Sequence, residues 1–175
     1  LENPSKYEEG QPNLWSPWTD AAAPTVLDKW IIARLRETVA AMTEGYETYI
    51  PLKVAQPAEA FLDDLSNWYV RRSRRRFWAA RGASATSDAD KEAAYQTLYT
   101  VLTTFAKLLA PVLPFVTEVM YQNLVRAVDA AAPESLHHCL FPVAAPLAAE
   151  EATLTEAMAA VRQAATLGHS VRASN

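Results

Sequence analysis

From Leu27 onward, apolar side chains recur at Leu27, Ile31, Leu35, Val39, Met42, Tyr46 and Tyr49, steps of three and four that turn one face of a helix toward a core. Gly45 weakens the last turn of that helix and Pro51 ends it. A second helix is expected to open near Pro57, because proline is tolerated in a first turn. It carries Phe61, Leu62, Leu65, Trp68 and Tyr69 inward before Gly82 caps it. The small, polar linker GASATSDAD follows, with Ser87 or Asp88 placed to cap a third helix read from Tyr95, Leu98, Leu102, Phe105 and Leu109. Pro111 and Pro114 bracket its exit. A fourth helix runs from about Pro114 to Ala131 on Val116, Val119, Met120 and Leu124. The stretch SLHHCLFPVAAP is then extended, and a last helix uses Leu154, Met158, Val161 and Ala165 before Gly168.

Residues 1 to 24 hold Pro4, Pro12, Pro17 and Pro24 and break helices and strands alike. They read as an extended lead-in whose Trp15 and Trp18 pack along a helix surface, since indole is costly to leave in water. No strand alternation persists long enough to build a sheet. The expected fold is therefore all-α, an up-and-down bundle of about five helices. Its parts are the lead-in (1–24), the bundle (25–147) and a C-terminal helix (148–175) leading to a region beyond this chain.

Charge changes this picture at one place. The 175 residues carry 16 Lys+Arg against 20 Asp+Glu, a formal −4. Yet six arginines and no acid fall in NWYVRRSRRRFWAAR, between Asn67 and Arg81. A concentrated positive field on an acidic body points to an anionic partner at one site. The interleaved Trp68, Tyr69, Phe77 and Trp78 suit a partner offering both phosphates and flat rings, as unpaired nucleic acid does. No apolar run is long enough to cross a bilayer. One cysteine, Cys139, suits a reducing, cytosolic setting, and Leu1 has no basic segment leading into a signal-peptide core, so the chain reads as a piece of a longer, cytoplasmic polypeptide.

Advancing about 100° per residue splits the second helix into two stripes. Phe61, Leu62, Leu65, Tyr69, Arg72 and Arg76 fall near the core, so Arg72 and Arg76 need carboxylate partners, with Glu37 and Glu118 as candidates. Asn67, Arg71, Arg74 and Trp78 line the far side, with Arg75 at its margin. An amide, guanidiniums and an indole together can hold phosphates, read base edges and stack on an unpaired ring. Competing readings are a structural ion-pair network, or an interaction bundle that docks an acidic protein through its arginine-rich helix. Arginines in a last turn, and Asp63 and Asp64 at the opposite end, also suit the helix macrodipole.

Catalytic patterns are absent. His137, His138 and Cys139 lack the CxxC or HxxxH partners a metal needs, and neither a glycine-rich phosphate loop nor a GxSxG elbow occurs. His169 has no nucleophile or acid beside it in sequence.

The string DLSNWYVRRSRRRFW at 64–78 closely resembles the signature helix of the tRNA-binding domain of the isoleucyl-tRNA synthetase family. LDKWIIARL (27–35), LLAPVLPFVTEVMYQNL (108–124), LHHCLFP (136–142) and LGHSVRASN (167–175) agree with that family in order and spacing. The resemblance implies a class I synthetase bundle that follows the catalytic domain and grips the anticodon stem-loop of tRNA(Ile). Asn67, Arg71, Arg74, Arg75 and Trp78 would be tRNA contacts, and Arg72 and Arg76 either contacts or ion pairs. Trp30 and Arg34, near the start of the first helix, are secondary candidates, set against a core tryptophan beside a solvated arginine. The parent would use ATP and Mg to activate isoleucine, transfer it to tRNA(Ile) and edit misactivated valine. The HIGH-type and KMSKS-type signatures are missing here, so the fragment is expected to be non-catalytic, to need no cofactor, and to partner the catalytic and C-terminal domains of its own chain.

Overall fold

In a computed structural model, residues 17–82 and 84–173 are described. Among them the regular structure is entirely helical. Helix α1 spans Val26–Glu47. A continuous rod follows, made of α2 (Pro51–Asp63), a π-helical segment (Asp64–Val70) and α3 (Arg71–Trp78). Next come α4 (Ala85–Leu109), α5 (Pro114–Tyr121) with a second π-helical turn (Gln122–Arg126), a 3₁₀ turn (Leu136–His138) and α6 (Ala149–Ala173). Counting the rod once gives the five-helix bundle expected from the apolar periodicity.

Thr25 starts α1 with a reciprocal capping box: its side chain accepts from the Asp28 amide and the Asp28 carboxylate accepts from the Thr25 amide. The core lies between α1, the rod and α4. Trp30, Ile31, Leu35, Val39 and Met42 meet Val54, Phe61, Leu65 and Tyr69, with Val101, Phe105 and Leu108 closing the third side. A smaller cluster of Ala106, Ala110, Tyr121 and Leu136 fastens α5 and the 3₁₀ turn to α4. Trp18 of the lead-in packs on the main core and donates to Thr97 Oγ1 at 2.9 Å. Trp15 lies outside the described residues.

Several boundaries differ from the sequence reading for local reasons. Pro51 opens the rod as its first residue, and Pro57 sits inside α2, so no amide at 57 can bond the Lys53 carbonyl. Gly45 faces that same carbonyl: a Cβ there would lie 2.8 Å from the Lys53 carbonyl carbon and 2.9 Å from its oxygen. Gly45 thus lets two backbones touch rather than merely weakening a turn. Tyr49 leaves the α1 face and stands exposed at φ 53° in the connection to α2. Helix α3 stops at Trp78, before Gly82, which takes φ +81° in the following turn, and Ser84 rather than Ser87 or Asp88 caps α4. Gly168 does not end α6.

Faces also shift where small residues pack closest. Helix α4 buries Ala93, Ala94, Thr97, Thr100, Val101 and Thr104, leaving Tyr95 exposed and Leu98, Leu102 and Leu109 half-buried. Helix α5 continues through its π-helical turn to Arg126, five residues short of Ala131; it buries Thr117 and Tyr121 and turns Val116 and Val119 outward. Val161 of α6 is likewise exposed, while Leu154 and Met158 pack on the core.

The most consequential difference is the π-helical segment. Its i→i+5 bonding winds more slowly than an α-helix, so the buried line runs Phe61, Leu65, Tyr69, Ser73 in steps of four instead of drifting. Ser73 takes the inward position that α-helical phase assigns to Arg72, and Leu62 is exposed. Removing the exposed Asn67 should let the segment revert to α-helix with Tyr69, Ser73 and Arg76 still inward. Removing Arg74 should instead rotate Arg76 off the core by about 100°. Thermal melting of the two single-residue deletions checks this: the first is expected to stay cooperatively folded near wild type, the second to lose most of its stability.

Candidate nucleic-acid interface

The arginine-rich helix is held to the body through its one inward guanidinium. Arg76 reaches Asp28 on α1 at 2.7 Å and Asp90 on α4 at 2.8 Å, with only 14% of its side chain exposed. Asp28, 0% exposed, also accepts from the Tyr69 hydroxyl at 2.7 Å and from the Thr25 amide at 2.7 Å and hydroxyl at 2.8 Å. Burial pushes its carboxyl upward, but the bonds from Arg76, Tyr69 and Thr25 outweigh burial and hold it below its ordinary 3.8. Burial and the Asp28 charge push the Tyr69 phenol strongly upward, keeping it a donor. Glu37 and Glu118 are not Arg76's partners. Glu37 pairs with Arg34, and Glu118 accepts from Ser135 Oγ and the Leu136 amide, both at 2.9 Å, to pin the 3₁₀ turn.

Around this anchor the other arginines of α3 point away. Arg71, Arg72, Arg74 and Arg75 are exposed, and Trp78 is 82% exposed at the end of the helix. Arg72 finds no carboxylate, contrary to the sequence expectation; the π-helical phase turns it outward, where its guanidinium lies 4.1 Å above the Trp68 ring. Arg71, Arg74 and Arg75 make no ion pair among the described residues. Arg34, Arg36, Arg76 and Arg162 each reach a carboxylate. Asn67 is exposed beside the stripe and donates to Asp63 Oδ1 at 2.6 Å. Three free guanidiniums, a stacked one and an open indole thus occupy one surface.

Trp30 and Arg34 belong to a different surface. Trp30 is 1% exposed and forms part of the floor of a cleft of about 340 Å³ between α1 and α6. Arg34 is locked by Asp64 at 2.9 Å and by Glu37, and these bonds outweigh burial to raise its pKa. Asp64, 0% exposed, also pairs with Arg162 of α6, which reaches Asp63 at 3.2 Å. Asp63 and Asp64 therefore lie mid-rod and serve ion pairs, not the helix start at which a macrodipole would favour them. His137 and His138 are exposed on the 3₁₀ turn, and among the described residues no group of three His, Cys, Asp or Glu side chains could hold a metal ion.

Asp28, Asp64, Asp90 and Arg162 were missed by sequence reasoning. Only Asp28 left a readable signal, the Thr25-x-x-Asp28 capping box. The rest join elements far apart in the chain.

The bundle and its outward arginines define an all-α domain with a concentrated cationic face. The family described as the anticodon-binding domain of tRNA ligase matches residues 28–175, and the chain belongs to that family. Its relatives include an isoleucine–tRNA ligase of Dehalococcoides mccartyi, 46% identical over 83% of this chain and 14% of the relative. Those of Thermus thermophilus and Streptomyces avermitilis are 41% and 40% identical over 94% and 92% of this chain, and 15% of each relative. The chain thus spans about one seventh of the length of the curated relatives it matches.

Breaking the anchor should unfold this surface. Asp28→Asn removes the charge that Arg76 is buried against, and is expected to cost about 3 kcal/mol at neutral pH. Because the folded-state pKa of Asp28 is depressed, its contribution is fully present above 3.8 and lost as pH falls below that value through the depressed one. Melting temperatures across pH should therefore show the gap between wild type and Asp28→Asn closing on the acid side.

Proposed function

We propose that this domain grips the anticodon stem and loop of a tRNA through the exposed face of α3. The polypeptide it belongs to is, on this reading, a cytoplasmic isoleucine–tRNA ligase that charges tRNA(Ile) at the expense of ATP. The observation that carries the reading is the contrast among arginines: those inside the bundle are matched to carboxylates, and Arg71, Arg74 and Arg75 are left for an anion from outside. Family membership supports a tRNA as that anion.

Arg71, Arg74 and Arg75 neutralise successive phosphates and fix the register of the RNA without reading sequence. Trp78, at the end of the stripe, offers a face on which an unstacked loop base can rest, and Asn67 offers an amide for a base edge or phosphate. Arg76 acts indirectly, by holding α3 in place. ATP and Mg²⁺ belong to the catalytic part of such a ligase, and the residues here contribute binding, not bond making. The catalytic and C-terminal portions of the longer chain are the remaining partners.

The test is titration of tRNA(Ile), a noncognate tRNA and an acidic polypeptide at several salt concentrations. Arg71→Ala with Arg74→Ala should weaken both tRNAs nearly alike and flatten the dependence of log K on log[salt] by roughly 0.7 to 0.9 per lost phosphate contact. Trp78→Ala should cost about 1 to 3 kcal/mol on the loop and almost nothing on a fully duplexed control. Preferential binding of the acidic polypeptide, or a folded double-arginine variant with wild-type affinity and slope, would remove α3 as the RNA face.

A further inference from the structure

Helix α6 is fastened to the bundle mainly by polar contacts. Of its side chains, Leu154 and Met158 pack on the main core, and both are only half-buried. Polar attachments to the bundle among the described residues include Arg36 with Glu151 at 2.6 Å, Thr155 Oγ1 donating to Glu37 at 3.1 Å, and Arg162 with Asp63 and Asp64. The last of these sits beside the arginine stripe. The Arg162 guanidinium lies 5.7 Å from the centre of the same Trp68 ring that Arg72 covers at 4.1 Å.

Two guanidiniums on one indole repel each other, and the arrangement holds because Asp63 and Asp64 neutralise one of them. With Arg162 gone, Trp68 loses a cation. Buried Asp64 is then left with Arg34, which it shares with Glu37, and Asp63 loses its ion pair. Asp64 lies seven residues before Arg71 along the π-helical segment, whose rise per residue is shorter than an α-helix's, so the two are separated along the axis by less than about 10 Å, roughly one Debye length at physiological salt. An unpaired Asp63 and an Asp64 that shares its remaining cation leave excess negative charge at that range to oppose an approaching phosphate, and a loosened Trp68 no longer presents Arg72 in a fixed place.

We infer that Arg162 is a positioning residue for RNA: it couples the docking of α6 to the order and charge of the arginine face through Asp63, Asp64 and Trp68. The inference rests on the tRNA-binding reading above. Coupling of this kind is reciprocal, so bound RNA also tightens α6 against α1 and the rod.

The experiment measures tRNA(Ile) affinity and salt slope for wild type, Arg162→Ala, Arg162→Lys, Trp68→Leu, the Arg162→Ala/Trp68→Leu double variant and Arg71→Ala/Arg74→Ala, each verified as folded by circular dichroism. Backbone amide exchange over 149–173 is followed with and without tRNA. Arg162→Ala should weaken binding about five- to ten-fold at low salt, with the loss shrinking as salt screens the carboxylates and the slope flattened by less than a full phosphate contact. Arg162→Lys, which keeps the charge, should recover much of the loss. The double variant should lose less than the product of the two single effects. Added tRNA should slow α6 exchange in wild type and not in Arg162→Ala. Wild-type affinity in a folded Arg162→Ala, or a slope flattened by a full phosphate contact, would overturn the coupling. If Arg71→Ala/Arg74→Ala weakens binding and Arg162→Ala does not, the coupling alone fails. If neither has an effect, the tRNA reading of α3 falls with it.

Discussion

A carboxylate with no exposure to water has to be matched on every side, and Asp28 is matched by three different segments. Thr25 caps it locally, Tyr69 reaches it from the π-helical segment, Arg76 from α3, and Arg76 in turn ties Asp90 of α4. Such a charge does not add much net stability over an apolar replacement of the same shape, but removing one partner is expensive. Its effect is therefore to select one arrangement of α1, the rod and α4 over near alternatives. It also fixes which way the remaining arginines face, since α3 cannot rotate without withdrawing Arg76.

The π-helical segment completes that selection. An α-helix from Pro51 to Trp78 would spread the buried positions around the rod; slower winding over Asp64–Val70 keeps Phe61, Leu65, Tyr69 and Ser73 in one line. A small serine at the fourth position lets α3 lie close to the body while its arginines stay in solvent. The outward arginine face is thus a consequence of core packing one to two turns earlier.

How much of this was legible follows from where the information resides. Helix content and the apolar line of α1 could be read because periodicity over 22 residues is a strong local signal. The exposed positions of Arg71, Arg74 and Trp78 were also readable, and Arg76 was placed inward. Arg72 was misplaced because nothing local announces a π-helical turn. On α4 and α5, hydrophobicity pointed to Tyr95, Val116 and Val119, yet threonines and alanines took the core face by permitting closer approach of backbones. Proline and glycine misled at Pro57 and Gly45 for a related reason: each serves the same Lys53 carbonyl, one by withholding a donor and the other by offering a bare Cα. The partners of Asp64, Asp90 and Arg162 are tertiary facts with no sequence trace.

The lead-in enters the bundle at a telling position. Thr19 bonds Gln96, Trp18 bonds Thr97, and the Ala23 amide donates to the Ala89 carbonyl at 3.1 Å, one residue from the aspartate that holds Arg76. Load entering along the lead-in is consequently met first by Trp18 and Thr19, midway along α4, and then by Ala23 at the first turns of that helix, where Asp90 grips the arginine helix. The domain has, in effect, a drawbar whose hitch is next to its arginine-rich helix.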